Sequence, residues 1–484
     1  MIAASVVAVD LGATSGRVVL GHVDTNRLGL DLVHRFANTP VPVWDGLRWN
    51  ILGLYGEVLT GIRDALSREP GARSIGVDSW AVDYALIRGD RVLGNPFHYR
   101  DTRTARGVDR VHARIPHSEL YRRNGLQYLP FTTAYQLATE PQEMLGLADR
   151  MLLIPDLIGY WLTGRQRAEI TNASTTGLLP LGADEWDRDL LERLGIPTHL
   201  TPPLIAPGET LGALAGDTAA HVGATGELPV VAVGSHDTAS AVVAIPMTDP
   251  ATAAYISCGT WGLVGLELER PVVTDTAREA GFTNERGVDG RTRFLHNVMG
   301  LWLLSESVRQ WERESGRQVQ LSELLACAAL VPADRTAVFD VDDPAFAAPG
   351  DIPARIAAWY ADRDLPAPAS RPEFVRAIIE SLADAFARGI AAAADLTGRT
   401  VATIHLVGGG SLNTLLCQRT AGRAGIPVIA GPVEATALGN VLIQARAIGA
   451  VPADADLESL RGLVAATQPQ RQYLPQPQHA RLTS

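Results

Sequence analysis

At 484 residues the chain is longer than one ordinary hydrophobic core supports, so two large domains or three smaller ones are expected, two being the starting expectation. Its 46% hydrophobic and 20% charged composition is that of a globular protein, with no apolar run long enough to span a membrane. A formal net charge of −11 repels nucleic-acid phosphates and anionic membrane alike, so neither is expected as a partner, and any phosphate binding must be local.

The opening residues, Met1 to Asp10, lack a basic n-region and place a carboxylate directly after a short apolar run, which reads as a first β-strand and not as a signal peptide. Three scattered cysteines, Cys258, Cys327 and Cys417, offer no C-x-x-C pair and fit a reducing, cytoplasmic location. The chain contains no lysine: all 42 Lys+Arg residues are arginine. A Walker A loop, the β3 lysine of protein kinases and a pyridoxal Schiff base each need that amine, so these chemistries are excluded. Phosphates would have to be held by backbone amides, hydroxyls, a metal ion and arginine.

Short apolar runs at Ser5 to Val9, Gly16 to Val23 and Leu30 to Phe36 predict three hairpin-linked strands. A helical pattern over Leu52 to Leu66 and a further apolar run, Ser74 to Val77, follow. Only the later crossover needs a helix, so the expected sheet is mixed. Gly12 and Gly16 bracket a turn leading into more β-structure, which is not a dinucleotide-binding fingerprint. The pattern of strand, glycine-hydroxyl turn and strand recurs from Ala253 through Gly259-Thr260-Trp261 to Leu266, suggesting two related domains that face each other across a cleft. The segment Ile245 to Pro250 is the candidate hinge between them. Helical spacing over Glu373 to Leu396, a buried strand over Ala402 to Val407 ending at Gly408-Gly409-Gly410, and a helix from Asn413 complete the regular structure. The polar, proline-rich end of the chain is expected to be irregular.

Several segments place reactive groups beside turns. Asp10-Leu11-Gly12-Ala13-Thr14-Ser15-Gly16-Arg17 closes a strand with a carboxylate and then exposes amides and two hydroxyls, which can hold phosphate without lysine. Asp10 can reach a magnesium ion through water. A plain β-hairpin capped by Asp10 fits the same residues. Thr260 permits the same reasoning, and Gly408 to Ser411 is either a bare backbone against which a purine fits or a flexible connection. Ser235-His236-Asp237-Thr238 follows the apolar run Pro229 to Val233. Asp237 is therefore either a general base at the mouth of a cleft or a helix cap, and His236 is either a ligand contact or a structural histidine. Gly76-Val77-Asp78-Ser79-Trp80-Ala81-Val82-Asp83 offers Trp80 as a sugar platform or as core.

In this order, the Asp-Leu-Gly turn, the Gly-Thr-Trp turn and the Gly-Gly-Gly strand end resemble the nucleotide-contacting segments of actin-like ATPases, specifically the FGGY carbohydrate kinases. Gly76 to Trp80, His98 to Thr104, Asn124 to Phe131, Ser235 to Ala241, Asn297 to Trp302 and Gly431 to Thr436 resemble the branch of that family that phosphorylates L-rhamnulose. The resemblance spans roughly Val6 to Ala450.

It implies an α/β fold of two actin-like, RNase H-like ATPase domains with a central interdomain cleft: residues 1–246 for the sugar and the base, 247–460 for the nucleotide, and an irregular tail, 461–484. Asp237 would be the catalytic base. Ala81, His236, Asp237, Thr238 and Asn297 would contact the sugar; Ala13, Thr14, Ser15, Gly16, Arg17, Thr260, Ser305 and Gly409 would contact ATP; Asp10 would hold Mg²⁺ through water. Ala81 stands where the family has glycine, and Ser305 where it has glutamine. The implied partner is L-rhamnulose or a related ketose, the implied product its 1-phosphate, and the implied assembly a monomer or small homo-oligomer. The competing readings are a kinase for xylulose, fuculose or glycerol, an actin-like ATPase that turns over ATP without sugar, and a non-catalytic sugar sensor.

Overall fold

The structure is a computed structural model that describes residues 3–332, 335–346 and 350–476. It divides into two compact units. The first comprises residues up to Thr248 with Glu267–Phe294 and Ala435–Gln468; the second comprises Asp249–Leu266, Leu295–Glu434 and the chain from Pro469. The expected junction near 246 falls beside the first of these changes, and by contacts Glu267–Phe294 and Ala435–Gln468 join the first unit.

In the first unit the strand Ala4–Leu11 is buried along almost its whole length and rich in valine, as suits a strand covered on both faces. It pairs antiparallel with Ser15–Val23, which pairs antiparallel with Leu28–Ala37. The helix Ile51–Arg68 buries Ile51, Leu54, Val58, Ile62, Ala65 and Leu66, one stripe at three-to-four spacing, and Asn50 caps it by accepting from the Gly53 amide. That crossover returns the chain to Ile75–Ser79, parallel to the first strand, and Pro229–Val231 adds parallel to Ile75–Ser79. The carboxyl ends of these parallel strands carry Asp10, Asp78 and the segment leading into Asp237, the position where open α/β sheets place ligands.

The second unit repeats the connectivity. Ala253–Cys258 pairs antiparallel with Gly262–Leu268 and parallel with Thr403–Val407, which pairs parallel with Val428–Ala430. The duplication expected from the two turns is thus one of sheet topology, with a strand, a tight turn and an antiparallel return followed by parallel strands. The helix Arg371–Thr397, capped by Ser370 and ended by a left-handed Gly398, precedes the crossover strand.

The expected irregular tail from 461 is a correction. Leu457–Thr467 is a helix capped by Asp456, because Leu457, Leu460 and Val464 form a buried stripe and buried Arg461 holds Glu267 through two contacts of 2.8 Å. Proline and glutamine dominate only after Thr467, and even there Arg471–Tyr473 adds an antiparallel edge strand to Val428–Ala430. Residues 477–484, with the second proline-glutamine run, lie outside the described residues. Among the described residues no helix is long and apolar enough to cross a membrane.

Within the first unit, the helix Ala435–Ala447 packs on the short helix Asp237–Val243 at Gly439, where an added Cβ would stand 1.8 Å from the Ser240 carbonyl oxygen. Backbone cannot move aside as a side chain can. Gly439→Ala is expected to destabilise the fold by about 1–3 kcal/mol through this overpacking, read as a lowered thermal unfolding midpoint. A midpoint equal to that of the parent protein would show that the two helices separate freely.

Candidate active site

Three carboxylates gather at the strand ends of the first unit. Asp10 and Asp78 are register partners on adjacent parallel strands, and both are buried. Arg17, the register partner of Asp10 on the antiparallel side, places Nε 3.2 Å from Asp10 Oδ2. Asn440 Nδ2 donates to Asp78 Oδ2 at 2.6 Å, while Asp78 Oδ1 has no hydrogen-bond partner among the described residues. Burial first, and then the Asp10 charge, hold the Asp78 carboxyl well above the usual range; Asn440 and Arg17 oppose the shift, and the Asp237 charge adds to it. The Asp10 and Asp237 charges therefore act on the same buried acid.

The turn after Asp10 is tight: the Gly12 amide donates to the Ser15 carbonyl, and Asn38 bonds the Thr14 and Gly12 carbonyls. Thr14 is exposed at its tip, with Ala13 and Ser15 half-buried beside it. Gly16 and Arg17 already belong to the second strand, where Gly16 is packed against the Phe36 ring.

Asp237 opens the helix Asp237–Val243, its side chain 30% exposed while His236 and Thr238 are buried. No side chain caps this helix, so the cap reading of Asp237 does not apply. Its approach is fixed from below. The Ser79 amide donates to the Ser235 carbonyl at 2.9 Å, and buried Glu169 accepts from the Ser235 amide and hydroxyl at 2.9 and 2.8 Å. Thr238 Oγ1 donates to Asp237 Oδ1 at 3.2 Å. His236 Nε2 lies 3.5 Å from Asp237 Oδ1.

Ala81 sits half-buried in a loop whose next residue, Val82, adopts φ +68°. A β-branched residue there is strained, and the surroundings impose it. Thr133 Oγ1 donates to the Val82 carbonyl, and buried Asp83 accepts from Trp49 Nε1, Trp80 Nε1, Gln136 Nε2 and the Tyr99 amide. Trp80 is buried with its ring 4.2 Å from that of Trp49, so it is core and not a sugar platform.

The second unit carries the other predicted contacts. The Gly259-Thr260-Trp261 turn is closed by the Gly259 amide on the Trp261 carbonyl, and the Leu301 and Trp302 amides bond the Gly259 and Thr260 carbonyls. Next to it, Gly408 takes φ +80° and would place a Cβ 2.9 Å from the Cys258 carbonyl, so only glycine fits; Gly409 is exposed. Asn297 is half-buried on the strand Thr292–Val298, and Ser305 is exposed on the first turn of the helix Trp302–Ser315.

Models of the FGGY family of carbohydrate kinases match both halves of the sequence, the N-terminal domain over residues 5–244 and the C-terminal domain over residues 254–448. The chain belongs to the FGGY carbohydrate kinases. It is 37% identical over 473 residues to a rhamnulokinase of Bacteroides thetaiotaomicron, covering 97% of this chain and 95% of that protein. It is 41% identical over 446 residues to a rhamnulokinase of Klebsiella pneumoniae, covering 90% and 88%. Its fold matches the crystal structure of gluconate kinase from Lactobacillus acidophilus with a TM-score of 0.78 at 17% identity, covering 98% of this chain and 94% of that one.

For this FGGY kinase, Asp10 supplies a hard oxygen donor at the strand ends, while burial holds the neighbouring Asp78 toward its neutral form. Among the described residues no group of three or more His, Cys, Asp or Glu side chains could hold a metal ion. That donor set fits magnesium, which keeps several waters and takes one or two carboxylates together with substrate phosphates. Residues that sequence reasoning left out of the site are Asp78, Asn440, Glu169, Glu285 and Arg293. The register of Asp78 against Asp10 could have marked it, but the other four are single polar residues whose partners lie far away in sequence.

Burial, the largest influence, pushes Asp83 up from 3.8 to about 6 against the pull of its four donors. Folding thus favours the protonated form. The stability this group contributes is fully present below the unfolded carboxylate range and is lost as pH rises through about 6. The expected result is that the difference in unfolding free energy between the parent protein and Asp83→Asn changes between pH 4 and 7 in that direction; a pH-independent difference would contradict it.

Proposed function

We propose that this FGGY kinase transfers the γ-phosphoryl group of ATP to the 1-hydroxyl of L-rhamnulose, giving L-rhamnulose 1-phosphate and ADP, a step of rhamnose catabolism. The observation that carries the reading is the partly exposed Asp237 carboxylate beside Asp10 and Asp78, in a chain that shares 37–41% identity with rhamnulokinases over nearly its full length.

Asp237 takes the proton of the sugar hydroxyl as its oxygen attacks the γ-phosphorus; the new O–P bond forms while the bond from that phosphorus to the β,γ-bridging oxygen breaks, and ADP leaves with the electron pair. Ala81, His236, Thr238 and Asn297 contact the sugar and orient that hydroxyl. Ala13 to Arg17, Thr260 and Gly409 bring amides, hydroxyls and a guanidinium to the phosphates and nucleotide, with Ser305 a shorter contact than the family glutamine. Asp10 would hold a magnesium ion through water, and a bound magnesium ion supplies neutralisation of phosphate charge.

Asp237→Asn keeps the shape and removes the base, so kcat with L-rhamnulose should fall on the order of a hundredfold or more in an ADP-release assay. Near-normal turnover would remove Asp237 from the mechanism. The same assay run on L-rhamnulose, L-fuculose, D-xylulose and glycerol, and on ATP alone, ranks the substrate readings. ADP formation without sugar would favour the ATPase reading.

Ala81 favours a second reading, a related ketose as the preferred substrate, because its methyl group narrows the space that glycine leaves in the family. Ala81→Gly should then change the ratio of kcat/KM values for L-rhamnulose and the other ketoses by about tenfold or more, the effect of one methylene on selectivity. An unchanged ratio would separate position 81 from sugar choice.

A further inference from the structure

Beneath His236 lies a buried ion pair that the reaction itself does not use. Glu285 is on the strand Phe282–Arg286 and Arg293 on the neighbouring strand Thr292–Val298. Arg293 Nη2 stands 2.9 Å from Glu285 Oε2, with the Arg293 side chain fully buried and that of Glu285 only 8% exposed. Both reach the same imidazole nitrogen: His236 Nδ1 is 3.2 Å from Glu285 Oε2 and 3.1 Å from Arg293 Nη2. The other ring nitrogen faces the Asp237 carboxylate at 3.5 Å. Arginine, glutamate, histidine and aspartate thus form a continuous chain from the strand pair to the expected base.

Stability alone is a poor reason for this pair. Two charges drawn out of water lose hydration that their attraction repays only with full hydrogen bonding, and well-packed apolar residues of similar volume are often as good or better. Here the hydrogen bonding is incomplete, since Arg293 Nη1 has no partner among the described residues. What the pair does is occupy one edge of the imidazole with a carboxylate and a guanidinium. The ring cannot turn over without giving up both contacts, so Nε2 is held toward Asp237.

We propose that Glu285 and Arg293 are positioning residues that lock the His236 ring against Asp237 and so set the grip on the sugar. The proposal rests on the sugar-kinase reading above. Neither residue touches the reacting atoms; both act through His236, so their contribution must vanish when the imidazole is gone.

The test is a double-mutant cycle with the paired replacement Glu285→Met/Arg293→Met, which leaves no lone buried charge and therefore preserves the fold where a single replacement can fail to. In the parent background KM for L-rhamnulose should rise, or kcat fall, by roughly tenfold to a hundredfold, as misplacement of a positioning group does, while KM for ATP stays within about twofold. In a His236→Ala background the same replacement should change nothing further. Unchanged sugar kinetics in the parent background, or an equal loss with and without the imidazole, would overturn the proposal. A second readout needs no substrate: in protein labelled with ¹⁵N-histidine, the His236 ring resonances, assigned with His236→Ala, should move on the paired replacement. Unmoved resonances overturn the lock even if the parent protein proves inactive on L-rhamnulose, and that inactivity would defeat the substrate reading alone.

Discussion

The first unit is organised by the problem of keeping three carboxylates together at the ends of parallel strands. Asp10 and Asp78 are neighbours by register, and Asp237 is near enough to add to the electrostatic load on Asp78. Like charges in so small and buried a space cannot all persist without compensation. The fold supplies it in graded amounts: a guanidinium on Asp10, a neutral amide on Asp78, and a hydroxyl with partial exposure for Asp237. The consequence is a difference in environment among identical functional groups. The most buried carboxyl, that of Asp78, is the one pushed toward its neutral form, and that of Asp237 is the most exposed of the three.

The absence of lysine shapes the rest of the electrostatics. Each side-chain cation other than histidine is a planar guanidinium, suited to carboxylates in a geometry that an ammonium cannot match. In the second unit, fully buried Glu380 receives Arg376, Arg419 and Arg423 at 2.7–2.8 Å; in the first, Arg461 grips Glu267 with two nitrogens. These arginines are committed to holding helices in place. Among the described residues the two glycine-hydroxyl turns carry no such pairing of their hydroxyl residues, Thr14 lying exposed and Thr260 half-buried, while Gly408 approaches the Cys258 carbonyl more closely than any side chain would allow.

The sequence made the scaffold legible where local chemistry and tertiary role coincide. The strand after Met1, the first hairpin, the helix with its Ile-Leu-Val stripe and the Gly-Gly-Gly strand end could each be read because apolar periodicity and turn residues point the same way there. Asp237 was legible because it follows an apolar run and precedes small residues. Its supports were not. Glu285 and Arg293 alternate with neighbours in strands that look half-exposed, and Glu169 lies over sixty residues from the amide that it accepts from. Nothing local announces that a charged residue on a strand is buried against another strand's charge. The helix Leu457–Thr467 was hidden for the opposite reason: its stripe is short, and the proline-rich residues beyond it dominated the composition of the whole segment.

The departure at position 81 shows how a local substitution acquires meaning only from its surroundings. Glycine is favoured where the backbone enters the left-handed region, and the residue that does so here is Val82, while Ala81 is not among the positive-φ residues. Alanine at 81 therefore carries no backbone penalty, and its effect is confined to the space its methyl group fills. The direction of that methyl group is in turn fixed by a loop that cannot relax, because Thr133 holds the Val82 carbonyl and Asp83 is bound by two indoles, an amide side chain and a backbone amide. Strain at Val82 and four hydrogen bonds at Asp83 thus fix where that single methyl group stands.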